Sequence, residues 1–215
     1  MKIIEEIEEA NYWREKELMS LSRILVNIKN ENDKMTLLNA SIPLIYAHWE
    51  GFVSSSLKIL MEVLNEKKLN CIDIHINILT NGYEINLKED LSNPTYKNES
   101  FDKKCKKLEC LVNLLNLDFK FQEFKIATKS NLKFNVLKML CNKFNFDSKK
   151  FESLKSELDK LVLRRNGIAH GEKSFPITKK DMENSINLYI KLSNILKNEI
   201  ENFIKESKYL KNKIL

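Results

Sequence analysis

The spacing of apolar residues predicts helices along nearly the whole chain. From Ile3 to about Lys29, Ile4, Ile7, Leu18, Leu21, Leu25 and Ile28 recur at helical spacing, with Glu5, Glu6, Glu8 and Glu9 crowded into the first turns, where the helix dipole favours anions. Asn32 or Asp33 can cap a second helix through Leu37, Leu38, Ile45, Trp49, Phe52, Val53, Leu57, Leu60, Met61 and Leu64. Its broad apolar face makes it the central one. Pro43 removes a backbone donor inside it and predicts a kink or break near Asn39. Residues 70–80 fit either a short helix or a strand. The pattern then decays: Asn81–Gly82 reads as a turn, and the polar run from Leu87 to Asp102, with Pro94 inside it, predicts a long loop or insertion near 81–102.

Helical spacing resumes over Lys103–Leu117 through Cys105, Leu108, Leu111, Val112 and Leu115. Phe119, Phe121, Phe124 and Ile126 alternate imperfectly, which leaves a strand and an extended connection both open. Ser130 or Asn131 is the expected cap of a helix carrying Val136, Leu137, Leu140 and Phe144, whose first amides, with Lys129, would also suit a phosphate. Ser148 or a neighbour opens a helix with the stripe Phe151, Leu154, Leu158, Leu161 and Val162. Thr178 with Asp181 begins a last long one through Met182, Ile186, Tyr189, Ile190, Leu196, Ile200 and Ile204. No internal repeat interrupts this. The fold class is all-α: one domain over residues 1–215, a bundle of roughly five to seven helices.

Composition supports that reading. Only 4 Gly and 3 Pro occur in 215 residues, too few breakers for a sandwich or barrel, and 43% hydrophobic with 31% charged residues describes a globular chain. The net charge of +6 suits an anionic partner such as nucleic acid, although the lysines are spread over most segments and the signal is diffuse. An acidic N-terminus is unlike a secretory signal, and no stretch approaches the ~18 apolar residues of a membrane span, so a cytoplasmic protein without a membrane partner is expected. The four cysteines, Cys71, Cys105, Cys110 and Cys141, then read as reduced thiols. Cys71 with His75 and Cys105 with Cys110 match no common zinc spacing, and no metal or cofactor is expected.

The candidate chemistry lies in Leu161–Glu172, LVLRRNGIAHGE. Arg165 continues the apolar stripe at i+4 from Leu161 and i+7 from Leu158, and a guanidinium cannot discharge to escape burial, so it needs a carboxylate, a phosphate or a partner chain. Arg164 points elsewhere and is expected in solvent. Glu50 lies within the apolar face of the second helix, flanked by Tyr46, Val53, Leu57 and Leu64, and also needs a partner, Arg165 being one candidate. His170 follows Arg165 by five residues, ~140° around and ~7.5 Å along an unbroken helix. Either the helix ends at Asn166–Gly167, or the site is completed by a second copy across a two-fold axis.

The run Arg165-Asn166-Gly167-Ile168-Ala169-His170 resembles the R-N-x-x-x-H signature of the HEPN superfamily, in the surroundings typical of its RiboL-PSP-like nuclease branches. Tyr46 to Val53, with an aromatic, a glutamate four residues on and then an apolar pair, is similar to the second-helix pattern of those branches. The resemblance implies a dimeric helical bundle acting as a metal-independent RNA endonuclease, a toxin or defence effector, with an antitoxin or sensor protein as a possible further partner. It implies His170 acting on the 2′-hydroxyl or the leaving oxygen, Arg165 holding the scissile phosphate, Asn166 orienting the phosphate or the histidine, and Glu50 in the site. The alternative it leaves is a non-catalytic module that binds RNA or nucleotides, or assembles with a partner. Some toxin-type relatives carry a tyrosine two residues after the histidine; Glu172 stands there, which sets regulation by tyrosine modification aside.

Overall fold

The centre of the molecule is one helix, α2, Glu31–Glu66, whose buried residues occur on both sides of Pro43, from Leu38 to Leu64. In the computed structural model, which describes residues 2–91, 100–124, 126–128, 130–172 and 176–211 (the backbone alone for 84–91), α2 runs on through Pro43. The missing donor costs one hydrogen bond, but Ile42, Ile45, Tyr46 and Trp49 are all buried around it, and their burial outweighs that loss. The cap is Asn30, whose side chain accepts from the amides of Asn32 and Asp33.

Around α2 pack α1, Lys2–Asn27, and α7, Lys179–Lys205, along one flank, and α6, Lys155–Ala169, along another. Polar contacts fix the register of the first layer. Tyr189 donates to Asn11 Oδ1 at 2.5 Å, and His48 Nε2 lies 2.8 Å from Glu17 Oε2 with Trp13 edge-on to its ring. His48 is thus buried structure, and burial pulls its pKa down while Glu17 opposes this.

The 3-10 helix Cys71–Asp73 leads into α3, Ile76–Leu91, so the turn expected at Asn81–Gly82 is helix instead. Ile78, Leu79 and Tyr83 face the core and carry the helix through the dipeptide. Gly82 serves packing: a Cβ there would lie 2.7 Å from Phe119 Cε2, so the ring can approach only a glycine. With α4 spanning Phe101–Leu115, the loop expected over 81–102 shrinks, and its residues 92–99 fall outside the described residues.

Phe119 and Phe121 belong to an extended strap without a sheet. Phe119 N donates to Leu69 O, and the Asn65 side chain holds both the N–H and the C=O of Phe121. Phe119, Phe121, Phe144, Phe146, Phe203 and Tyr209 then form a continuous series of ring contacts that closes this end of the core.

The cap expected of Ser130 or Asn131 is absent. α5, Phe134–Lys143, starts after Lys133, and its first amide, Phe134 N, is taken by Asp159 Oδ1 of α6 at 2.8 Å. The 3-10 helix Ser148–Leu154, capped by Asp147, delivers the chain into α6. The capping box of Thr178 and Asp181 forms as expected. Among the described residues there are seven α-helices and no strand, and no helix is long and apolar enough to cross a membrane.

Candidate active site on α2 and α6

Leu158, Leu161 and Val162 are buried against the bundle, so Arg165 at the next turn is carried towards α2. Its guanidinium carbon stands 4.7 Å from the centre of the Tyr46 ring, a cation–π stack between the two helices. Nη1 donates to Asn166 Oδ1 at 2.9 Å and to Ser130 O at 3.3 Å. Nη2 and Nε have no acceptor among the described residues, and no described carboxylate lies within ion-pair distance. The half-buried charge is therefore held in place by an aromatic face and two neutral oxygens, with donors to spare.

Tyr46 ties this arrangement to the segment before α5. Its hydroxyl accepts from Leu132 N at 2.8 Å, and Ser130, whose carbonyl faces Arg165, adopts a positive φ of 49° that turns the chain there. Burial pushes the Tyr46 phenol up to about 12; the Leu132 amide and Arg165 work against this, and the nearby Glu50 carboxylate adds to it. Glu50, one turn along α2 from Tyr46, keeps Oε1 buried without a hydrogen bond. Glu50 and Arg165 thus flank the same tyrosine without forming the direct pair that was one expectation for them.

His170 is placed differently. α6 does not end at Asn166–Gly167; it continues through Ala169, with Gly167 buried in its last turn. The stop lies at Gly171, in the left-handed region at φ 76°, where Gly171 N reaches Ile168 O at 3.0 Å and Glu172 N reaches Gly167 O at 2.9 Å. Both bonds satisfy carbonyls that the helix end would otherwise strand. His170 is the cap residue, its amide on Asn166 O, its side chain exposed and without a protein partner among the described residues. Arg165, Asn166 and Glu50 are thus gathered around Tyr46, whereas His170 projects from the end of α6, ~140° around the axis from Arg165.

Arg164 corrects the expectation of a solvated side chain. Its Nη2 is 2.7 Å from Asp181 Oδ1, and both side chains are largely covered. The first turn of α7 brings a carboxylate to the flank of α6 where Arg164 emerges. Burial alone would raise the Asp181 pKa, but the Thr178 hydroxyl and amide and Arg164 together hold it down at about 2. Beside this pair a groove of about 290 Å³ runs between α6 and α7, lined by Lys160, Arg164, Asn184, Asn187 and Lys191 among others.

A family model described as RiboL-PSP-HEPN matches residues 9–202, nearly the whole chain and both helices of the site. The chain belongs to the RiboL-PSP-HEPN family. No curated protein and no solved structure matches it. For this HEPN domain, the spacing of Arg165 and the Tyr46-to-Glu50 step were legible in sequence. The part played by Ser130 and Leu132 was not, because their contacts join positions 35 and 86 residues apart. Tyr46 was visible only as an aromatic one turn before a buried glutamate. Among the described residues no group of His, Cys, Asp and Glu could hold a metal ion.

Proposed function

We propose that this HEPN domain is an RNA endonuclease that uses the substrate's own 2′-hydroxyl as nucleophile and works as a homodimer with a site shared across a two-fold axis. The observation that carries this reading is the split in the motif. Arg165 is anchored on Tyr46 with unused donors, and the unbroken last turn of α6 sends His170 out at an exposed end. Two copies meeting at that end would set the histidine of one beside the arginine of the other.

In the reaction, O2′ attacks the adjacent phosphorus, the P–O5′ bond breaks, and a 2′,3′-cyclic phosphate and a free 5′-hydroxyl result. A proton leaves O2′ and another arrives at O5′; His170, an imidazole free to meet substrate, suits either transfer. Arg165 takes a non-bridging phosphate oxygen through Nη2 and Nε and offsets the charge that builds on phosphorus. Asn166 acts through Arg165, holding Nη1 so that the other donors face outward. Glu50 is assigned an electrostatic role, keeping the stacked cation oriented without neutralising it. The nucleophile belongs to the substrate, so the scheme requires no metal. Such an activity against cellular or invading RNA fits a toxin or defence effector, restrained by an antitoxin or sensor partner.

The test is cleavage of labelled RNA in the presence of chelator by the parent protein and by His170→Ala and Arg165→Ala. Each variant should fall by about 10²–10⁴-fold. Cleavage that persists in both would sink the proposal. The second reading, an RNA-binding module without catalysis, draws on the same Arg165–Tyr46 stack, which can hold a phosphate without His170. Retained RNA binding with no cleavage by any form would favour it.

A further inference from the structure

Helix α4 has no buried residue, although it is among the more strongly amphipathic helices of the chain. Phe101, Cys105, Leu108, Val112 and Leu115 follow one another at i, i+4, i+7, i+11 and i+14, the spacing of a coiled-coil seam. Phe101 is 79% exposed, Leu108 63% and Val112 52%. The far end is anchored, Leu114 and Leu115 being partly covered by the core and Leu117 O accepting from Cys71 N, and Cys105 is partly covered as well.

The residues beside the seam indicate what covers it. With Phe101, Leu108 and Leu115 at the d positions, Cys105 and Val112 fall at a, Asp102 and Glu109 at e, and Lys104 at g. In a parallel pair each g residue meets the partner's e residue five positions on, so Lys104 faces Glu109 of the second copy, twice by symmetry. An antiparallel pair would instead set e against e, bringing Asp102 and Glu109 of the two copies together as like charges. Among the described residues neither Lys104 nor Glu109 has an ion-pair partner in its own chain. A β-branched residue at a with leucine at d is also the choice of two-stranded parallel coils.

We infer that α4 is a second self-association surface, the seam Phe101–Leu115 pairing in parallel with α4 of another copy, Lys104 against the partner's Glu109. The anchored end of α4 is tied to Cys71, just past the C-terminal end of α2 and ~30 Å of helix from Tyr46, and the seam is assigned a different two-fold axis from the shared site. It would link catalytic dimers into larger assemblies. Two heptads are short, and the association is weak enough to depend on concentration.

Cys105 supplies the test. At an a position it meets its symmetry mate within disulfide reach, whereas Cys110, on the outer face, does not. The full chain as Cys110→Ser and as Cys105→Ser is treated at tens of micromolar with copper-phenanthroline, and covalent dimers are counted. The inference expects dimers from the Cys110→Ser protein at least about tenfold in excess of those from the Cys105→Ser protein. In sedimentation, Leu108→Lys and Lys104→Glu should each weaken association at least about tenfold, and Lys104→Glu with Glu109→Lys should restore it. Leu108 and Lys104 are exposed, so these variants should fold like the parent, which circular dichroism checks. Equal crosslinking through Cys110, no crosslinking, or association indifferent to Leu108→Lys would overturn the inference. None of these readouts involves cleavage, so a failure here is separate from a failure of the nuclease reading.

Discussion

Tyr46 does two jobs with one side chain: its face carries the Arg165 guanidinium and its hydroxyl holds the Leu132 amide. Tyr46→Phe separates them. The ring and the stack stay, but a fully buried N–H loses its acceptor, and the protein should lose about 1–3 kcal/mol in denaturant unfolding. Arg165→Lys should not substitute for arginine, since a point charge can neither stack flat on Tyr46 nor serve Asn166, Ser130 and a phosphate together. It should behave like Arg165→Ala in cleavage to within about tenfold. Because Glu50 makes no ion pair with Arg165, Glu50→Gln should reduce kcat by less than about tenfold while Arg165→Ala reduces it far more. Equal losses would show that the carboxylate takes part directly. The stripe of α6 showed in advance that Arg165 faces inward, since Leu158 and Leu161 share its side of the helix. It could not show that Arg164 would find Asp181, because α7 is brought alongside only by folding.

Helix ends were announced unevenly: the cap expected at Asn32 or Asp33 falls to Asn30, the one expected at Ser130 or Asn131 is absent, and α6 runs past Asn166–Gly167. The box of Thr178 and Asp181 is a local signal and forms as written, and Asp181 carries a pH signature. Its folded pKa of about 2 lies below the ordinary value of 3.8, so its stabilisation is complete above about pH 4 and is lost as the pH falls towards 2. Thr178→Ala should cost about 1 kcal/mol near neutral pH, and less at pH 2, where the Asp181 side of the box has weakened in both proteins. Denaturation at the two pH values checks this. Gly171→Ala should cost about 1 kcal/mol through its positive φ alone, since open space surrounds the position. Gly82→Ala should destabilise by about 1–3 kcal/mol for the opposite reason, a crowded site in ordinary helical conformation. Asn-Gly in α3 reads locally as a turn, and only the Phe119 ring packed against it explains why the glycine stands inside a helix.

For the whole molecule, the placement of the motif makes dimer exchange informative. If each site takes Arg165 from one copy and His170 from the other, mixing Arg165→Ala and His170→Ala proteins restores one intact site in every heterodimer. A random equal mixture should then recover about a quarter of the parent rate. No recovery after verified subunit exchange would place arginine and histidine in the same chain's site.

What the order of residues settled was the local part of this protein. Helical periodicity and the scarcity of glycine and proline determine an all-α chain, and the stripe of α6 determines that Arg165 faces α2. These depend on neighbours within a turn or two, where backbone geometry alone relates position to face. Tertiary structure decided the rest. It put Tyr46 under the arginine and closed the segment at Ser130 and Leu132 over both. It carried α6 past Asn166–Gly167 to a stop at Gly171, and it left Phe101, Leu108 and Val112 of the α4 seam exposed. Each of those outcomes turns on which distant surfaces meet, and the free energy of that meeting is shared among residues far apart in the chain.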